Sequence, residues 1–343
     1  MKRPLWLNQS CAKSTIARAG VNPAPPIPVG SLASLKAVGE GLIPSLSIVV
    51  LVSSILVASI GGHANSVSGA ELTADQTTWV TETLASLTLE EKAAQMIMVA
   101  ETGWPRNPRS QAAVDLVSAV REVGVGGVIL MRSEEGTIPD LLNELQSDAR
   151  IPLLVAMDME RSLSFRVQRG SVDLPFAMAF GATGDQEAAR FLGEVTAREG
   201  RALGIHWAFA PVVDVNNNPD NPVINIRSFG EDPQLVGQMG AAFIEGAHSG
   251  GLMTTAKHFP GHGDTAVDSH LELPVVDAPR EELERVDFAP FAALSDIPMA
   301  MTAHVVYTAL DPDNCCTLSP TVIGDVIRGQ IGFDGLIMSD DLS

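Results

Sequence analysis

The chain has few cysteines and a single tyrosine, and what is scarce excludes several kinds of protein. Three cysteines stand among 343 residues, two of them adjacent at Cys315 and Cys316. No Cys-x-x-Cys pair occurs, so neither a disulfide framework nor a zinc ribbon is indicated. Glycine-rich phosphate-binding sequences of the GxGxxG and GxxxxGK[ST] types are also missing. Their absence argues against a doubly wound nucleotide-binding fold.

Basic residues are scarce as well, since 22 Lys and Arg face 41 Asp and Glu, for a net charge of −19. Residues 1–64 hold five basic side chains and one acidic side chain, a net of +4, so the remaining 279 residues carry −23. An acidic body repels phosphate backbones, and we therefore expect no nucleic-acid partner.

The first 64 residues have the composition of a targeting segment. Residues 41–62 carry no charged side chain, and Leu42 to Ile60 is a 19-residue apolar run behind a basic region. Gly62-His63-Ala64 offers a small-x-small cleavage pattern. We expect residues 1–64 to be a signal peptide or a membrane anchor, with residues 42–60 at the membrane if the anchor is retained. The body, residues 65–343, is then secreted or held outside the cytoplasm.

From about residue 75, short apolar runs alternate with amphipathic stretches, which predicts βαβ units and a parallel sheet. The amphipathic stretches include 110–122, 185–203, 234–249 and 280–294. The apolar runs are Met96–Ala100, Val125–Met131, Pro152–Met157, Ile205–Pro211, Leu252–Lys257, Met299–Thr302 and Gly335–Met338.

Polar residues follow the ends of these runs, and this feature favours an α/β fold of the parallel (β/α)8 TIM-barrel type, whose active site lies at that edge. The residues are Glu101, Arg132, Asp158, Asp214, Lys257-His258, His304 and Asp340. Seven strands can be counted and the sequence stops just after the seventh, so we expect a barrel truncated before its eighth strand.

The densest group of reactive side chains is the run Lys257-His258-Phe259-Pro260-Gly261-His262-Gly263-Asp264-Thr265, with Asp268-Ser269-His270 just beyond it. A metal site is one interpretation, because His258 and His262 are four residues apart. Proline and glycine break any helix here, however, which makes the usual helical metal spacing inapplicable. A purely structural loop is the other interpretation.

A second group ends the chain, where Asp340 and Asp341 follow the apolar run Gly335–Met338. A carboxylate at a strand tip can act as a nucleophile. The alternative is a helix N-cap, a role that suits Asp341 and leaves Asp340 for chemistry.

Together these motifs resemble glycoside hydrolase family 3, in its bacterial β-N-acetylglucosaminidase branch. The matching segments are KHFPGHGDT with the following DSH, IMSDDLS at the end, Phe209–Asn216 and Ile226–Pro233, and the resemblance runs from about residue 78 onward. The resemblance implies a retaining β-N-acetylhexosaminidase without cofactor or metal, acting on an oligosaccharide or muropeptide that contains N-acetylglucosamine. It implies Asp340 as nucleophile and His270 as acid/base, oriented by Asp268. It places sugar binding on Asp158, Arg169, Arg227, Lys257 and His258.

One segment departs from the family pattern. Where the family reads Asp-Gln-Glu-Gly-Gly-Arg-Val, residues 158–167 read DMERSLSFRV, without the glycine pair and with about three extra residues. Because the segment borders the expected sugar site, the roles of Asp158 and Arg169 depend on how it folds.

Several functions remain open from the sequence: a β-glucosidase, a phosphorylase of the same family, or a non-catalytic sugar-binding module. The Asp268-Ser269-His270 sequence argues against the β-glucosidase, which takes its acid from elsewhere. A binding module would have no need of Asp268, His270 and Asp340 together.

Overall fold

The computed structural model describes residues 48–52, 72–101, 107–167, 169–268 and 272–342. Its strands are β1 (Ile48–Val52), β2 (Ile97–Glu101), β3 (Gly127–Leu130), β4 (Leu154–Met157), β5 (Trp207–Ala208), β6 (Met253–Thr254), β7 (Ala256–Phe259), β8 (Val275–Val276), β9 (Met299–Thr302), β10 (Val306–Tyr307) and β11 (Leu336–Ser339).

Helices fill the connections between strands. The α-helices are α1 (Ala74–Ser86), α2 (Leu89–Ala94), α3 (Gln111–Ser118), α4 (Ile138–Asp148), α5 (Ala177–Gly181), α6 (Gln186–Ala202), α7 (Pro233–Ser249), α8 (Arg280–Arg285) and α9 (Phe288–Ala292). Stretches with π-type hydrogen bonds cover Ala119–Val123 and Thr321–Gln330, and 3-10 turns cover Glu135–Thr137, Leu163–Phe165 and Asn225–Arg227.

The two longest helices, α6 and α7, begin at aspartates that cap them. Asp185 accepts from the Glu187 N–H at 3.0 Å, and Asp232 accepts from the Gln234 N–H at 2.8 Å. Each cap satisfies a backbone donor that the first turn of the helix leaves unpaired. Both helices therefore start where the sequence places a capping residue.

The large sheet closes on itself. Its strand order is β6-β5-β4-β3-β2-β1-β11-β9-β7. Strands β6 and β7 lie on one stretch of chain, interrupted only at Thr255, so the two ends of the order coincide. The Val213 N–H donates to the Lys257 carbonyl at 2.8 Å and closes the seam beside β7. The predicted α/β barrel with a parallel sheet is thus confirmed.

Strand β1 was not foreseen from the sequence. It runs antiparallel between β2 and β11, where it pairs Ile48 with Val99 and Leu51 with Met338. Among the described residues, the parallel strands of the barrel leave two edges facing this position, and β1 pairs with both. The five residues come from the apolar run assigned to the leader, and Ile and Val favour extended backbone.

The remainder of the leader, residues 1–47 and 53–64, lies outside the described residues. Its role as signal peptide or anchor therefore stays a prediction. Within the part of the chain that the structure describes, no helix combines the length and apolar character that a membrane crossing requires.

The interior of the barrel is filled by large apolar side chains. Met98, Met301, Met338 and Trp207 are buried in one cluster, while the alternate strand residues face the helices. Trp207 donates from Nε1 to Thr255 Oγ1 at 2.6 Å, which satisfies its only polar atom. This packed interior supports the polar edge of the barrel.

Candidate active site

The carboxyl ends of the barrel strands bring distant residues together at one edge. Asp158 follows β4, Lys257 and His258 lie in β7, and Asp340 follows β11. Asp214 lies in the chain beyond β5. Val212, two residues before it, forms a parallel bridge with Lys257. Polar residues that the sequence placed at separate strand ends therefore share one site.

Lys257 is the centre of a charged cluster that we define as Asp158, Glu160, Arg166, Arg227 and Lys257. Its side chain is only 3% exposed, and Nζ lies 2.8 Å from Asp158 Oδ1 and 2.9 Å from Glu160 Oε1. A buried ammonium is tolerated only when it is paired in this way.

Two arginines complete the charged cluster. The guanidinium of Arg227 forms a bidentate pair with Glu160, donating from Nε to Oε2 at 2.9 Å and from Nη2 to Oε1 at 2.8 Å. Arg166 Nη2 donates to Asp158 Oδ2. Three cations thus surround two carboxylates, so the cluster has one positive charge in excess.

The electrostatics keep the two carboxylates and the Lys257 ammonium of this cluster ionised. Burial raises the pKa of Glu160, but the charges of Lys257 and Arg227 outweigh it and lower that pKa to about 2. Burial likewise opposes ionisation of Asp158, yet Lys257 and Arg166 hold its pKa well below the usual range. Burial lowers the pKa of Lys257, but Asp158 and Glu160 raise it above its ordinary value.

His258 is paired with a fully buried carboxylate, Asp214. The imidazole Nδ1 lies 2.7 Å from Asp214 Oδ2, and the backbone N–H groups of His258 and His262 donate to Asp214 Oδ1 at 3.1 and 2.7 Å. Because the carboxylate is an acceptor, Nδ1 carries hydrogen and Nε2 is left to face the site. Burial raises the pKa of Asp214, but its interactions with His258 and His262 together outweigh burial and lower that pKa.

Asp340 presents one carboxylate oxygen to this site. Its Oδ1 accepts the Asp341 N–H at 2.8 Å, and its Oδ2 lies 3.9 Å from His258 Nε2. The side chain is 26% exposed, so a substrate can reach it. A carboxylate that stands at a strand end and is open to a substrate suits the role of a nucleophile.

The loop after β7 is held from beneath by Asn221. Its Nδ2 donates to the carbonyls of His262 and Gly263, each at 2.9 Å, and to Thr265 Oγ1 at 3.2 Å. His262 is buried, and burial lowers its pKa to about 4. In the described part of the chain, no three residues of the metal-ligating kinds gather closely enough to hold a metal ion.

The loop continues to Asp268, which is half-buried and whose carbonyl accepts the Glu272 N–H at 3.0 Å. His270 lies outside the described residues. The assignment of His270 as acid/base, with Asp268 as its partner, therefore stays a prediction.

Of the sequence-predicted residues, Asp158, Lys257, His258, Arg227 and Asp340 meet at this edge. Arg169 does not: it is exposed, and the guanidinium that reaches Asp158 is that of Arg166. The residues just before Arg166 form the 3-10 turn Leu163–Phe165. A sugar-binding role for Arg169 stays a prediction.

The sequence reasoning missed three members of the site: Glu160, Arg166 and the role of Asp214. The sequence pattern identifies Asp214 only as a polar residue after a strand. Arg227 donates two hydrogen bonds to Glu160 and one to the Val223 carbonyl at 3.1 Å, and its predicted role as a donor to sugar hydroxyls stays a prediction.

Carboxylates, cations and a histidine converge on the carboxyl edge of a parallel β/α-barrel, which is the edge where barrels of this class build their active sites. The model of the glycosyl hydrolase family 3 N-terminal domain matches residues 88–343. The chain belongs to that family, and the resemblance found in its motifs is confirmed.

Two relatives and one solved structure carry related names. Beta-hexosaminidase A of Pseudoalteromonas piscicida is 35% identical over 66% of this chain and 42% of its own length. The beta-N-acetylglucosaminidase/beta-glucosidase of Cellulomonas fimi is 33% identical over 78% of this chain and 48% of its own. The structure of a family 3 beta-N-acetylglucosaminidase from Paenibacillus sp. is 39% identical, covers 74% of this chain and 49% of that one, and has a TM-score of 0.69. The chain thus spans about half the length of these proteins.

The charged cluster predicts how stability depends on pH. Because the pKa of Glu160 falls from 4.5 to about 2 on folding, its ionised form stabilises the fold above pH 4.5, and this contribution is lost as the pH falls toward 2. Glu160→Gln should cost about 3 kcal/mol of unfolding free energy at pH 7, because it leaves a buried charge partly unpaired. Urea unfolding of both proteins between pH 7 and pH 3 measures this difference, which should shrink on acidification.

Glu91→Gln is the matched control. Glu91 pairs with Arg150 on the surface, where its side chain is 37% exposed, so its loss should change stability by less than about 1 kcal/mol. A deficit of Glu160→Gln that is equally large at pH 7 and pH 3 would contradict the electrostatic role of the cluster.

Proposed function

We propose that this chain is the catalytic barrel of a retaining β-N-acetylhexosaminidase, which releases terminal β-linked N-acetylglucosamine through a covalent glycosyl-enzyme intermediate. The observation that carries the proposal is the meeting of Asp340 with Lys257, Asp158 and the Asp214–His258 pair at one edge. The names of the relatives support the choice of sugar. The proposed substrates are oligosaccharides or muropeptides with a terminal N-acetylglucosamine.

In this proposal Asp340 Oδ2 attacks the anomeric carbon while an acid protonates the departing oxygen. Lys257 and Asp158 lie where they can bind sugar hydroxyls. Lys257 would donate hydrogen bonds to them, and Asp158 would accept hydrogen bonds from them. His258 Nε2, aimed by Asp214, adds a further polar contact beside the nucleophile. His270, with Asp268, would give its proton to the leaving group and then activate water for the second step.

The first test compares two aryl glycosides. The protein should hydrolyse nitrophenyl N-acetyl-β-glucosaminide with a kcat/KM at least about tenfold above that for nitrophenyl β-glucoside, since a site that hydrogen-bonds a substituent discriminates against its absence. Added phosphate should leave the product as free sugar. A glucose preference would favour the β-glucosidase, and a sugar phosphate would favour a phosphorylase. Binding of N-acetylglucosamine without any turnover would favour a binding module and refute the proposal.

The second test separates the nucleophile from the acid/base. His270→Gly should lose about 10²–10⁴-fold on a sugar leaving group, which needs a proton to depart. When the leaving group is dinitrophenolate, which departs without a proton, the rate of the first step should fall far less. Azide needs no base, so it should restore turnover of this variant and yield a β-glycosyl azide.

Asp340→Gly provides the contrast, because it should be inactive with both leaving groups and should not respond to azide. Asp268→Asn should behave as a milder His270 variant, since the imidazole remains but is less well oriented. If His270→Gly harms both leaving groups equally and azide has no effect, the acid/base assignment fails.

A further inference from the structure

His304 has no part in the chemistry proposed above, yet it lies beside the nucleophile. It follows β9, the strand that pairs in parallel with β11 and so with the segment that carries Asp340. Its imidazole is half-buried. Nε2 lies 2.8 Å from the Asp341 carbonyl oxygen, and Nδ1 lies 2.9 Å from Thr317 Oγ1.

The hydrogen-bond partners assign the hydrogen on this ring. A carbonyl oxygen can only accept, so Nε2 must carry a hydrogen and donate it to Asp341. The imidazole therefore links the end of β9 to Asp341, the residue just after the proposed nucleophile. Thr317, whose Oγ1 also lies 2.9 Å from the Ala303 carbonyl, ties the far side of the ring to the same strand end.

Asp341 passes this restraint to the nucleophile. Its N–H donates to Asp340 Oδ1 at 2.8 Å, while the Asp340 N–H donates to the Thr302 carbonyl at 3.3 Å. The peptide on one side of Asp340 is thus held by β9, and the residue on the other side is held by His304. With Oδ1 committed to Asp341, the free oxygen Oδ2 faces His258.

We propose that His304 is a positioning residue for Asp340: it fixes Asp341 so that Asp341 in turn fixes the carboxylate rotamer that attacks the sugar. The inference rests on the proposed function, because it assumes that Asp340 is the nucleophile. Freeing a nucleophile to move by about 1 Å costs up to about 10²-fold in rate. Sugar binding, which depends on the charged cluster, should be almost unaffected.

The test is the rate of glycosylation in His304→Ala and His304→Gln, measured with dinitrophenyl and nitrophenyl N-acetylglucosaminides. His304→Ala should lose about 10–10²-fold in kcat. The loss should be the same for both leaving groups, unlike that of an acid/base variant. The inhibition constant of N-acetylglucosamine should stay within about threefold, since hydrogen bonds to the sugar are retained. His304→Gln keeps an N–H donor for the Asp341 carbonyl and should recover a large part of the rate.

His248→Ala is the matched control. Nε2 of His248 also forms a hydrogen bond, with Thr254 Oγ1 at 2.9 Å. This hydrogen bond lies at the amino-terminal side of the barrel, where β6 begins. This variant should keep the kcat of the unmodified protein. If His304→Ala also keeps it, or if His304→Gln is as impaired as His304→Ala, the positioning role is refuted.

A measurement on the unmodified protein is independent of activity. Nitrogen-15 NMR should show that Nε2 of His304 carries hydrogen, and a neutral ring with hydrogen on Nδ1 alone would overturn the inference. If instead the unmodified protein cleaves neither aryl glycoside while Nε2 carries hydrogen, it is the proposed function that fails.

Discussion

The site depends on one buried ammonium. Lys257 extends from β7 with a side chain only 3% exposed, and an unpaired charge at that depth would be too costly to keep. Asp158 and Glu160 therefore have to remain ionised beside it, and Glu160 in turn requires Arg227. This chain of pairings joins the ends of two barrel strands to the turn Asn225–Arg227. Loss of one partner would weaken all the others, because each desolvated charge relies on the rest.

The same constraint prepares the site for a polar substrate. Donors and acceptors at the barrel edge are fixed in place by each other before the proposed sugar substrate binds, so little ordering remains to be done on binding. Asp214 gives His258 the same support by accepting hydrogen bonds from its ring and its backbone N–H, and it accepts a third from the backbone N–H of His262. Asp340, the proposed nucleophile, is held by the N–H of its neighbour Asp341, and Asp341 is the residue to which His304 donates its hydrogen bond.

Much of this arrangement was predictable, and the reasons differ from residue to residue. Strand β9, at Met299–Thr302, has the predicted bounds because its apolar run follows Pro298 and ends at the polar Thr302. Asp340 and Lys257 were placed at strand ends by the same pattern. Arg166 could not be found that way, because its contact with Asp158 depends on how the extra residues before it turn. Strand β1 could not be found either, since an Ile-Val-Leu run reads alike as a leader and as a strand.

The proposed chemistry requires that Asp340 form a covalent bond with the sugar at this edge of the barrel. The direct measurement is peptide mapping by mass spectrometry after incubation with the 5-fluoro glycosyl fluoride of N-acetylglucosamine, which forms the intermediate readily and releases it slowly. We expect a single adduct, on Asp340, that disappears when the protein is allowed to turn over without the reagent. An adduct on Asp214 or Asp341 would contradict the account, as would full turnover of the aryl substrate with no adduct on any carboxylate.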